Sequence, residues 1–361
     1  MFFNFAQKIQ CKTVLFILAL GMILTITCCY SKASADAIRY RTITDLAGRQ
    51  VRLPVEVKRV ACLEGNSYER VFLLSEADKI AVRILFDGPW AERLNPRLKD
   101  IYCSSAYNDP NIEELLSRQV DVVLYWDYPK QLAKLEECHI PVVVTQKTMK
   151  KIRNSEELVE YLKQEMRMYG KVLGPKAEKK ATEWCAYFDQ KTRWILARTS
   201  KIPEKQRPKV YYVRGPDALT THGGNSNTYW FVEMAGGNFI TKNMKQGGQV
   251  TMEELIQWDP DVVFMGRVGQ PDLILKDPKW QHIAAVRNNR VYATPNGVRS
   301  WDSGGEAVLF IEYMAQKMYP DLFKDLNMTD EVKNYYWKFY KYHLSDNEAI
   351  RLLQGLGPEG N

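Results

Sequence analysis

Three arginines supply most of the binding chemistry that this sequence offers. Arg214, Arg267 and Arg299 each follow a short apolar run that is typical of a β-strand. A guanidinium presents a planar set of donors to carboxylates and other oxyanions, so several of them together would favour an anionic ligand. If the three strands are parallel, the arginines converge, because the carboxyl ends of parallel strands meet at one sheet edge. For each arginine taken singly, a surface ion pair is the alternative.

His222 is the histidine best placed for a ligand, because it lies in a loop of small residues, 221–227. Glycines in such a loop let backbone N–H groups approach a ligand closely, and the helix that follows favours an anion at its start. The pattern matches no nucleotide-binding motif. A bare transition-metal ion requires three or four converging ligands, which this sequence does not offer. We therefore expect His222 at most to complete the coordination of a metal already held by an organic chelator.

Aromatic and amide side chains dominate the loops that follow the predicted strands of the first half of the chain. Tyr125 and Trp126 end one of these strands, where each could contact ligand or simply cap the core. Loops after parallel strands point to the ligand-binding edge of open α/β folds. The predicted ligand-binding residues are Glu64, Asn66, Phe86, Tyr125, Trp126, Arg214, His222, Asn225, Arg267, Arg299 and Trp301. No catalytic motif accompanies them, so an exported chelatase-like enzyme is the weaker hypothesis.

An internal repeat indicates how these residues are positioned. The segment EELLSRQVDVVLYW begins at Glu113, and EELIQWDPDVVFMG begins at Glu253. Each copy places helix-forming residues before a short β-branched run, which predicts a helix leading into a buried strand. Helix followed by strand is half of a βαβ unit. Two similarly built α/β lobes with parallel sheets are therefore the leading prediction, and a generic module repeated within one domain is the alternative.

Residues 175–200 separate the two copies and predict one long helix. Pro175 suits the first helical turn, and Ala181, Trp184 and Phe188 are among the apolar residues that recur at helical spacing. The 26 residues would span about 39 Å at 1.5 Å per residue. We predict a rigid connection between a first lobe, 38–174, and a second lobe, 201–361. An ordinary surface helix of one large domain is the alternative.

The first 37 residues have the layout of a secretion signal, with lysines, then 13 apolar residues, then a small-x-small site. We expect cleavage after Ala35 or Ala37. Cys28 and Cys29 leave open lipid anchoring at the outer face of the membrane. Without this segment the net charge falls from +7 to +5, which is mild and does not indicate nucleic-acid binding.

Four cysteines remain after the signal, Cys62, Cys103, Cys138 and Cys185, and no two of them form a C-x-x-C pair. Their scattered spacing argues against a structural zinc site and against a dense disulfide scaffold. One disulfide within the first lobe stays possible on this reasoning, although buried free thiols are the favoured state.

The chain resembles the substrate-binding proteins of ABC importers for ferric siderophores, haem and vitamin B12. The resemblance covers nearly the whole mature chain. It rests on the two repeat copies, on the helix between them, and on the segments RVACL, DKIAV, WQHIAAVRNNRVYATP and EAVLFIEYMAQKMYPDLF. It implies two Rossmann-like lobes joined by one long helix, the class III binding-protein fold, with ligand held between the lobes and a small hinge motion.

The same resemblance implies a non-enzymatic carrier without a cofactor of its own. The cargo would be a chelated metal such as a ferric siderophore, haem or cobalamin, with a nickel complex or a molybdate-type oxyanion as alternatives. Glu113 and Glu253 match the exposed glutamates that meet the membrane permease in this family. The resemblance thus implies an ABC permease and its ATPase as partners, a monomeric state and a periplasmic location. The turn at Glu64 departs from the Ser/Pro-rich turn of many relatives, which puts the cargo in doubt.

Overall fold

The computed structural model describes residues 39–148, 151–267 and 270–360. The predicted secretion signal lies outside the described residues. Arg41–Asn361 form one compact unit. A small sheet of β1 (Tyr40–Thr44) and β2 (Gln50–Pro54) comes before the first lobe in the chain. Within the described residues, no helix has the length and apolar character needed to cross a membrane.

The first lobe is built on a five-stranded sheet in which all neighbouring strands are parallel. Its strands, in the spatial order β5-β4-β3-β6-β7, are β3 (Val60–Cys62), β4 (Ile80–Ile84), β5 (Tyr102–Ser104), β6 (Val122–Trp126) and β7 (Val142–Gln146). The helices of this half are α1 (Ser67–Leu73), α2 (Ala91–Leu94), α3 (Ile112–Ser117), α4 (Pro129–Glu137) and α5 (Ser155–Leu173), and α6 (Pro175–Thr199) follows.

The second lobe has a six-stranded sheet whose centre is parallel and whose one side is antiparallel. Its strands are β8 (Lys209–Val213), β9 (Thr220–Thr221), β10 (Asn238–Phe239), β11 (Gly248–Gln249), β12 (Val262–Met265) and β13 (Val291–Ala293). Strand β8 pairs in parallel with β10 and β12, and β12 with β13, while β9 is antiparallel to β8 and β11. The helices are α7 (Asn227–Met234), α8 (Met252–Trp258), α9 (Asp272–Leu275), α10 (Ala284–Arg287), α11 (Ala307–Met318), α12 (Met328–Tyr335) and α13 (Asp346–Leu353).

The predicted two-sheet architecture is confirmed. The two Asp-Val-Val strands of the repeat are β6 and β12, and they lie at or near the centre of different sheets. In both strands, neighbouring side chains are buried on both sheet faces, as expected for parallel strands covered by helices on each side. The repeat therefore records two α/β halves of similar construction.

Helix α6 is continuous, and the apolar residues predicted for its stripe are buried. It is not a free-standing rod, because it packs along α5 and against α11 and α7 of the second lobe. The ammonium of Lys163 on α5 lies 2.8 Å from a carboxylate oxygen of Asp189 on α6. On the second-lobe side, the indole of Trp184 donates to the carbonyl of Gly305 at 3.2 Å. The lobes are therefore connected through the packing of several helices and not through α6 alone.

The lobes also touch directly. The backbone N–H of Gly88 donates to the carbonyl of Val298 at 2.7 Å, and the N–H of Trp90 donates to Gly297 at 3.3 Å. A Cβ atom at Gly88 would lie 2.2 Å from the Gly297 carbonyl oxygen, so only glycine allows this approach. The indole of Trp90, which is fully buried, donates to the carbonyl of Leu356 near the end of the chain. One apolar core consequently extends through both lobes.

Truncating Phe188 should test whether α6 supports both halves. Its ring is fully buried and stacks on Trp184 with centroids 4.8 Å apart. We expect Phe188→Ala to lower the free energy of unfolding by about 3–5 kcal/mol. Lys179→Ala, at an exposed position of the same helix, should change it by less than about 0.5 kcal/mol. Urea titration followed by circular dichroism measures both, and equal values for the two variants would contradict the packing described here.

Candidate functional site

A cavity of about 330 Å³ lies where loops of the two lobes meet. First-lobe residues come from the loop after β4, and second-lobe residues come from the ends of β12 and β13, from the loops after them and from Gly355 after α13. The lining residues are Phe86, Asp87, Gly88, Met265, Gly266, Arg267, Gln270, Ala293, Thr294, Asn296, Arg299, Ser300 and Gly355. Because the strands that feed these loops are parallel within each sheet, their carboxyl ends all open onto this cleft.

Arg299 crosses from the second lobe to the first. Its Nε donates to Oδ1 of Asn66 at 3.2 Å, and one terminal nitrogen donates to the carbonyl of Phe86 at 2.5 Å. The guanidinium carbon also lies 5.1 Å from the centre of the Phe86 ring. Both hydrogen-bond acceptors are neutral. Burial lowers the pKa of Arg299, as does the nearby positive charge of Arg267, while the carboxylates of Asp302, Glu64 and Glu69 act in the opposite direction. The cleft thus holds a desolvated positive charge whose bonded partners do not neutralise it.

A buried carboxyl pair fixes the backbone around Arg299. Glu306 accepts hydrogen bonds from the N–H groups of Val298 and Arg299, at 3.3 and 3.2 Å. Glu69 of the first lobe accepts from the N–H of Gly305 at 3.0 Å and from the hydroxyl of Tyr340 at 2.5 Å. Burial, with the nearby charge of Glu69, raises the pKa of Glu306 to about 8. The loop that carries Arg299 is therefore tied to both lobes.

Arg267 forms an ion pair with Asp302 of its own lobe. A terminal nitrogen of its guanidinium lies 2.9 and 3.1 Å from the two carboxylate oxygens of Asp302. The hydroxyl of Tyr212 donates to the same carboxylate at 2.9 Å. Although burial acts in the opposite direction, Arg267 and His222 hold the pKa of Asp302 below its usual range. Arg267 stays partly exposed at the cavity and can offer its remaining donors to a ligand.

His222 is kept neutral by its surroundings. Its ring stacks on Tyr212 with centroids 5.3 Å apart, and Nδ1 lies 2.8 Å from the hydroxyl oxygen of Thr228. Burial lowers the pKa of His222 to about 4, against the opposing effect of Asp302 and with help from Arg267 and Arg214. A neutral imidazole can donate or accept a hydrogen bond, but it adds no positive charge near pH 7.

The glycine loop around His222 contacts its own chain. A Cβ at Gly223 would lie 2.2 Å from the Met244 carbonyl oxygen, and one at Gly224 would lie 2.1 Å from that of Lys242. The backbone N–H of Asn225 donates to Lys245 at 3.3 Å, and its side chain is exposed. Residues 242–245 therefore occupy the space beside Gly223 and Gly224 into which the sequence predicts that a ligand fits.

The three arginines do follow parallel strands, but they do not converge equally. Arg214 comes directly after β8 and is exposed, with no side-chain hydrogen bond or ion pair to a described residue. A Cβ at Gly215 would meet the backbone carbonyl oxygen of Arg267 at 3.1 Å, so the two loops are neighbours. Arg214 lies outside the cavity lining, whereas Arg267 and Arg299 are part of it.

Three predicted ligand residues are buried in protein. Tyr125 is fully buried on the outer face of the first sheet, where its hydroxyl donates to the Tyr107 carbonyl. Because side chains alternate along β6, Tyr125 lies on the sheet face opposite to that of Val122 and Leu124. Trp301 is fully buried in the core. Glu64 is also buried, and it accepts hydrogen bonds from the Asn66 N–H and the Tyr169 hydroxyl. None of the three lines the cavity.

Three other predicted residues lie at the first-lobe side of the cleft. Asn66 and Phe86 contact Arg299, as described above. Trp126 lies beside Gly65, where an added Cβ would be 3.6 Å from the indole and 3.5 Å from an Arg299 nitrogen. The Trp126 indole donates to the side chain of Gln146 at 3.0 Å. Gly65 therefore leaves room for the guanidinium beside the aromatic residues.

Sequence reasoning missed Asp87, Gly88, Asn296 and Ser300 as cavity residues. Asp87 pairs with Arg83 at 2.5 Å, and burial raises the pKa of Asp87 to about 6 despite that pairing. Its position directly after a predicted strand was the available signal, because that is where ligand-facing loops begin. Asn296 and Ser300 lie within the segment between β13 and α11, 294–306, where the sequence marks no particular residue as facing a ligand.

Within the described ranges, no group of three or more His, Cys, Asp or Glu side chains is arranged to hold a metal ion. His222, the predicted metal ligand, has Thr228 and Tyr212 as its nearest polar and aromatic neighbours. The described cysteines, Cys62, Cys103, Cys138 and Cys185, are all free. The chemistry that the cleft offers is therefore recognition by guanidinium, amide, hydroxyl and aromatic groups.

Glu113 and Glu253 occupy equivalent exposed positions in the first turns of α3 and α8. In each helix the glutamate that follows interacts with a residue three or four positions away. Glu114 pairs with Arg118, and Glu254 forms a capping box with Thr251. Helices that precede parallel strands begin at the carboxyl edge of the sheet, so both first turns lie at the edges that form the cleft. The two free carboxylates thus flank the cleft, one on each lobe.

Comparison with known proteins agrees with this geometry. A family model described as periplasmic binding protein matches residues 60–297. The chain belongs to the periplasmic binding protein family. Members of this family bind solutes for ABC transporters and are not enzymes, so the resemblance drawn from the sequence is confirmed and the chelatase hypothesis is set aside.

Individual relatives in this family cover most of the chain. The molybdate-binding protein MolA of Haemophilus influenzae is 28% identical over 91% of this chain and 99% of its own length. The structure of MolA bound to molybdate has a TM-score of 0.75 at 24% identity, covering 84% of this chain and 99% of MolA. A periplasmic solute-binding protein of Veillonella parvula is 28% identical with a TM-score of 0.76, covering 88% and 97%. A vitamin B12-binding protein of Vibrio campbellii is 26% identical over 65% and 80%.

The depressed pKa of His222 makes a prediction about acid stability. An unfolded histidine takes up a proton near pH 6.5, whereas native His222 stays neutral until about pH 4. Between these values the unfolded state binds more protons, so stability falls as the pH drops, by about 3 kcal/mol in total from this group. In the His222→Gln variant this part of the pH dependence should be absent. NMR titration of the His222 ring should give a midpoint near pH 4; a midpoint near 6.5 would contradict the buried environment.

Proposed function

We propose that this protein is the extracytoplasmic substrate-binding component of an ABC importer and that its cargo is a small oxyanion of the molybdate type. The observation that carries the cargo assignment is Arg299. Its guanidinium is desolvated between the lobes and bonded only to the neutral oxygens of Asn66 and Phe86. A bound oxyanion would neutralise this charge with charge-assisted hydrogen bonds, which are among the strongest polar contacts in proteins.

The size of the cleft supports a small cargo. The cavity measures about 330 Å³, at the lower end of the range for ligand sites. The lobes meet beside it through the hydrogen bond between Gly88 and Val298. A tetrahedral oxyanion fits this space with the lobes in contact, and Arg267, Ser300 and Asn296 line it with further polar groups. The relationship to MolA, a molybdate-binding protein by name, supports the same choice.

A chelated metal is the second candidate cargo. The family resemblance to ferric siderophore, haem and cobalamin carriers, and the vitamin B12-binding relative, favour it. Such complexes are much larger than a tetrahedral anion, so the contacts of Gly88 and Trp90 with the second lobe would have to open to admit one. A nickel complex would be intermediate in size. The anionic groups of many chelates could still use Arg299, which is why binding tests need all of these cargo types.

Delivery to a membrane permease would use the exposed carboxylates of Glu113 and Glu253. They lie on opposite lobes, and they keep no ion pair or hydrogen bond with the described residues. Two negative charges at a fixed separation can steer docking and set its register against arginines of a permease. We propose that the protein acts as a monomer outside the cytoplasmic membrane, either free or lipid-anchored through Cys28 or Cys29.

Substitution of Arg299 tests the cargo assignment. We expect Arg299→Ala to weaken molybdate binding by about 30- to 100-fold, since it removes hydrogen bonds and charge from a desolvated site. His222→Ala should have a smaller effect because the imidazole is neutral. Arg193→Ala, an exposed arginine of α6, should have none. Isothermal titration calorimetry measures the affinities, alongside ferric siderophores, haem, cobalamin and nickel-histidine as competing cargoes.

Thermal melting without cargo shows whether Arg299→Ala remains folded, and Arg299→Lys retains the charge while losing the planar set of donors. The lysine variant should bind with intermediate affinity. If Arg214→Ala, Arg267→Ala and Arg299→Ala all bind the best cargo as tightly as the original protein, an anionic cargo is ruled out.

Charge reversal tests the docking surface separately. Glu113→Lys and Glu253→Lys should leave cargo affinity unchanged and reduce transport in reconstituted vesicles at least tenfold when combined. Glu178→Lys, an exposed change in the first turn of α6, serves as the matched control. Normal uptake by the double variant would show that the permease docks elsewhere.

A further inference from the structure

The second lobe contains a larger cavity that the cargo site does not use. This second-lobe groove measures about 720 Å³ and lies between β13 and the helices α11, α12 and α13. Its walls include Leu326, Met328, Ile350 and Leu353, with the rings of Tyr292 and Tyr313 on one side. The volume falls within the range of small-molecule sites. Among the described residues, Gln270 and Ala293 line both the groove and the cleft.

Lys317 brings a cationic group to this groove, whose lining combines amide and hydroxyl groups with apolar side chains. Its ammonium lies 5.2 Å from the centre of the Tyr292 ring and 5.3 Å from that of Tyr313. These aromatic faces are its only partners among the described residues, since no oxygen atom there accepts a hydrogen bond from it and no carboxylate pairs with it. Burial alone lowers the pKa of Lys317, without a compensating negative charge.

Two other partly buried lysines of this protein, Lys163 and Lys191, are paired. Lys163 lies within 3.0 Å of carboxylate oxygens of both Glu160 and Asp189. Lys191 contacts Glu312 and Glu331, at 3.1 and 2.6 Å. Lys317 is only half-buried, so water reaches its ammonium, but none of the described residues supplies an anionic partner, and that lack calls for an explanation. At Lys317 the open groove beside it provides one, because a ligand can supply the missing acceptor.

We propose that the second-lobe groove is a separate binding site for a small amphipathic organic anion, such as an aromatic or aliphatic carboxylate. The anionic group would accept hydrogen bonds from the Lys317 ammonium. The apolar body of the ligand would lie against the Tyr292 ring and the aliphatic wall formed by Leu326 and Leu353. The amide of Gln354 lines the groove as well and can contribute a further donor. An inorganic oxyanion would leave this apolar wall uncovered, so the site differs from the cleft in the class of ligand it selects.

A pair of matched probes tests the proposal in the full protein. Calorimetric titration should show 2-naphthoate binding at least tenfold more tightly than uncharged 2-naphthalenemethanol, because only the former neutralises Lys317. Lys317→Met, which keeps an unbranched apolar side chain, should weaken naphthoate binding at least tenfold and leave the alcohol unaffected. Lys324→Met, at an exposed position of the same lobe, should change neither.

Charge substitutions at the rim provide a second measurement that leaves Lys317 unchanged. Ile350 is 43% exposed and lines the groove, so replacing it should be tolerated by the fold. Ile350→Glu should weaken naphthoate binding severalfold, and Ile350→Lys should maintain or strengthen it. Naphthoate binding should persist in Arg299→Ala and in saturating molybdate. Failure of naphthoate to bind, equal binding by Lys317→Met, or loss of binding in Arg299→Ala would each overturn the proposal, the last by placing the probe in the cleft.

Discussion

The positive charge of Arg299 is held between two lobes and away from water, and much of the cleft is arranged around that constraint. Removing a charged group from water costs several kcal/mol unless other charges or dipoles compensate for it. Here the Asn66 side chain and the Phe86 carbonyl accept hydrogen bonds from the guanidinium. Glu306 holds the Arg299 backbone in place by accepting a hydrogen bond from its N–H group. The carboxylates of Asp302, Glu64 and Glu69 add some compensation from a distance, but none of them bonds to the guanidinium. An anion that enters the cleft therefore meets a site whose donors are already oriented, so little reorganisation opposes binding.

The same arrangement ties ligand recognition to the contact between lobes. Arg299 belongs to the second lobe, yet its hydrogen-bond acceptors belong to the first. Moving the lobes apart would return the guanidinium to solvent and break the backbone contact at Gly88. Because one apolar core runs through both lobes and α6 packs on each, such movement is opposed by more than the stiffness of one helix. Recognition and closure thus depend on the same few contacts.

Much of this architecture is predictable from the sequence, and the limits have physical reasons. The repeat identified β6 and β12, and strand ends identified Arg267 and Arg299, because buried strands have a strong apolar pattern. Tyr125 was misplaced since a strand end does not reveal which sheet face a side chain occupies. The glycines at 223 and 224 signalled a close approach but not its partner, which proved to be residues 242–245. Contacts between lobes, such as Gly88 with Val298, join residues too distant for any local pattern to pair.

The return of the chain's last segment to the first lobe bears on how the protein acquires its structure. The Trp90 indole meets Leu356 across 266 positions, and the Tyr340 hydroxyl meets Glu69 across 271. Contacts between such distant positions carry a large loop-closure entropy and form slowly. These contacts of the first lobe cannot form until residues 340–356 have been synthesised. Until those residues are available, the Trp90 indole and the Glu69 carboxylate lack these partners, so a shorter nascent chain is less tightly packed and easier to thread through a translocation channel.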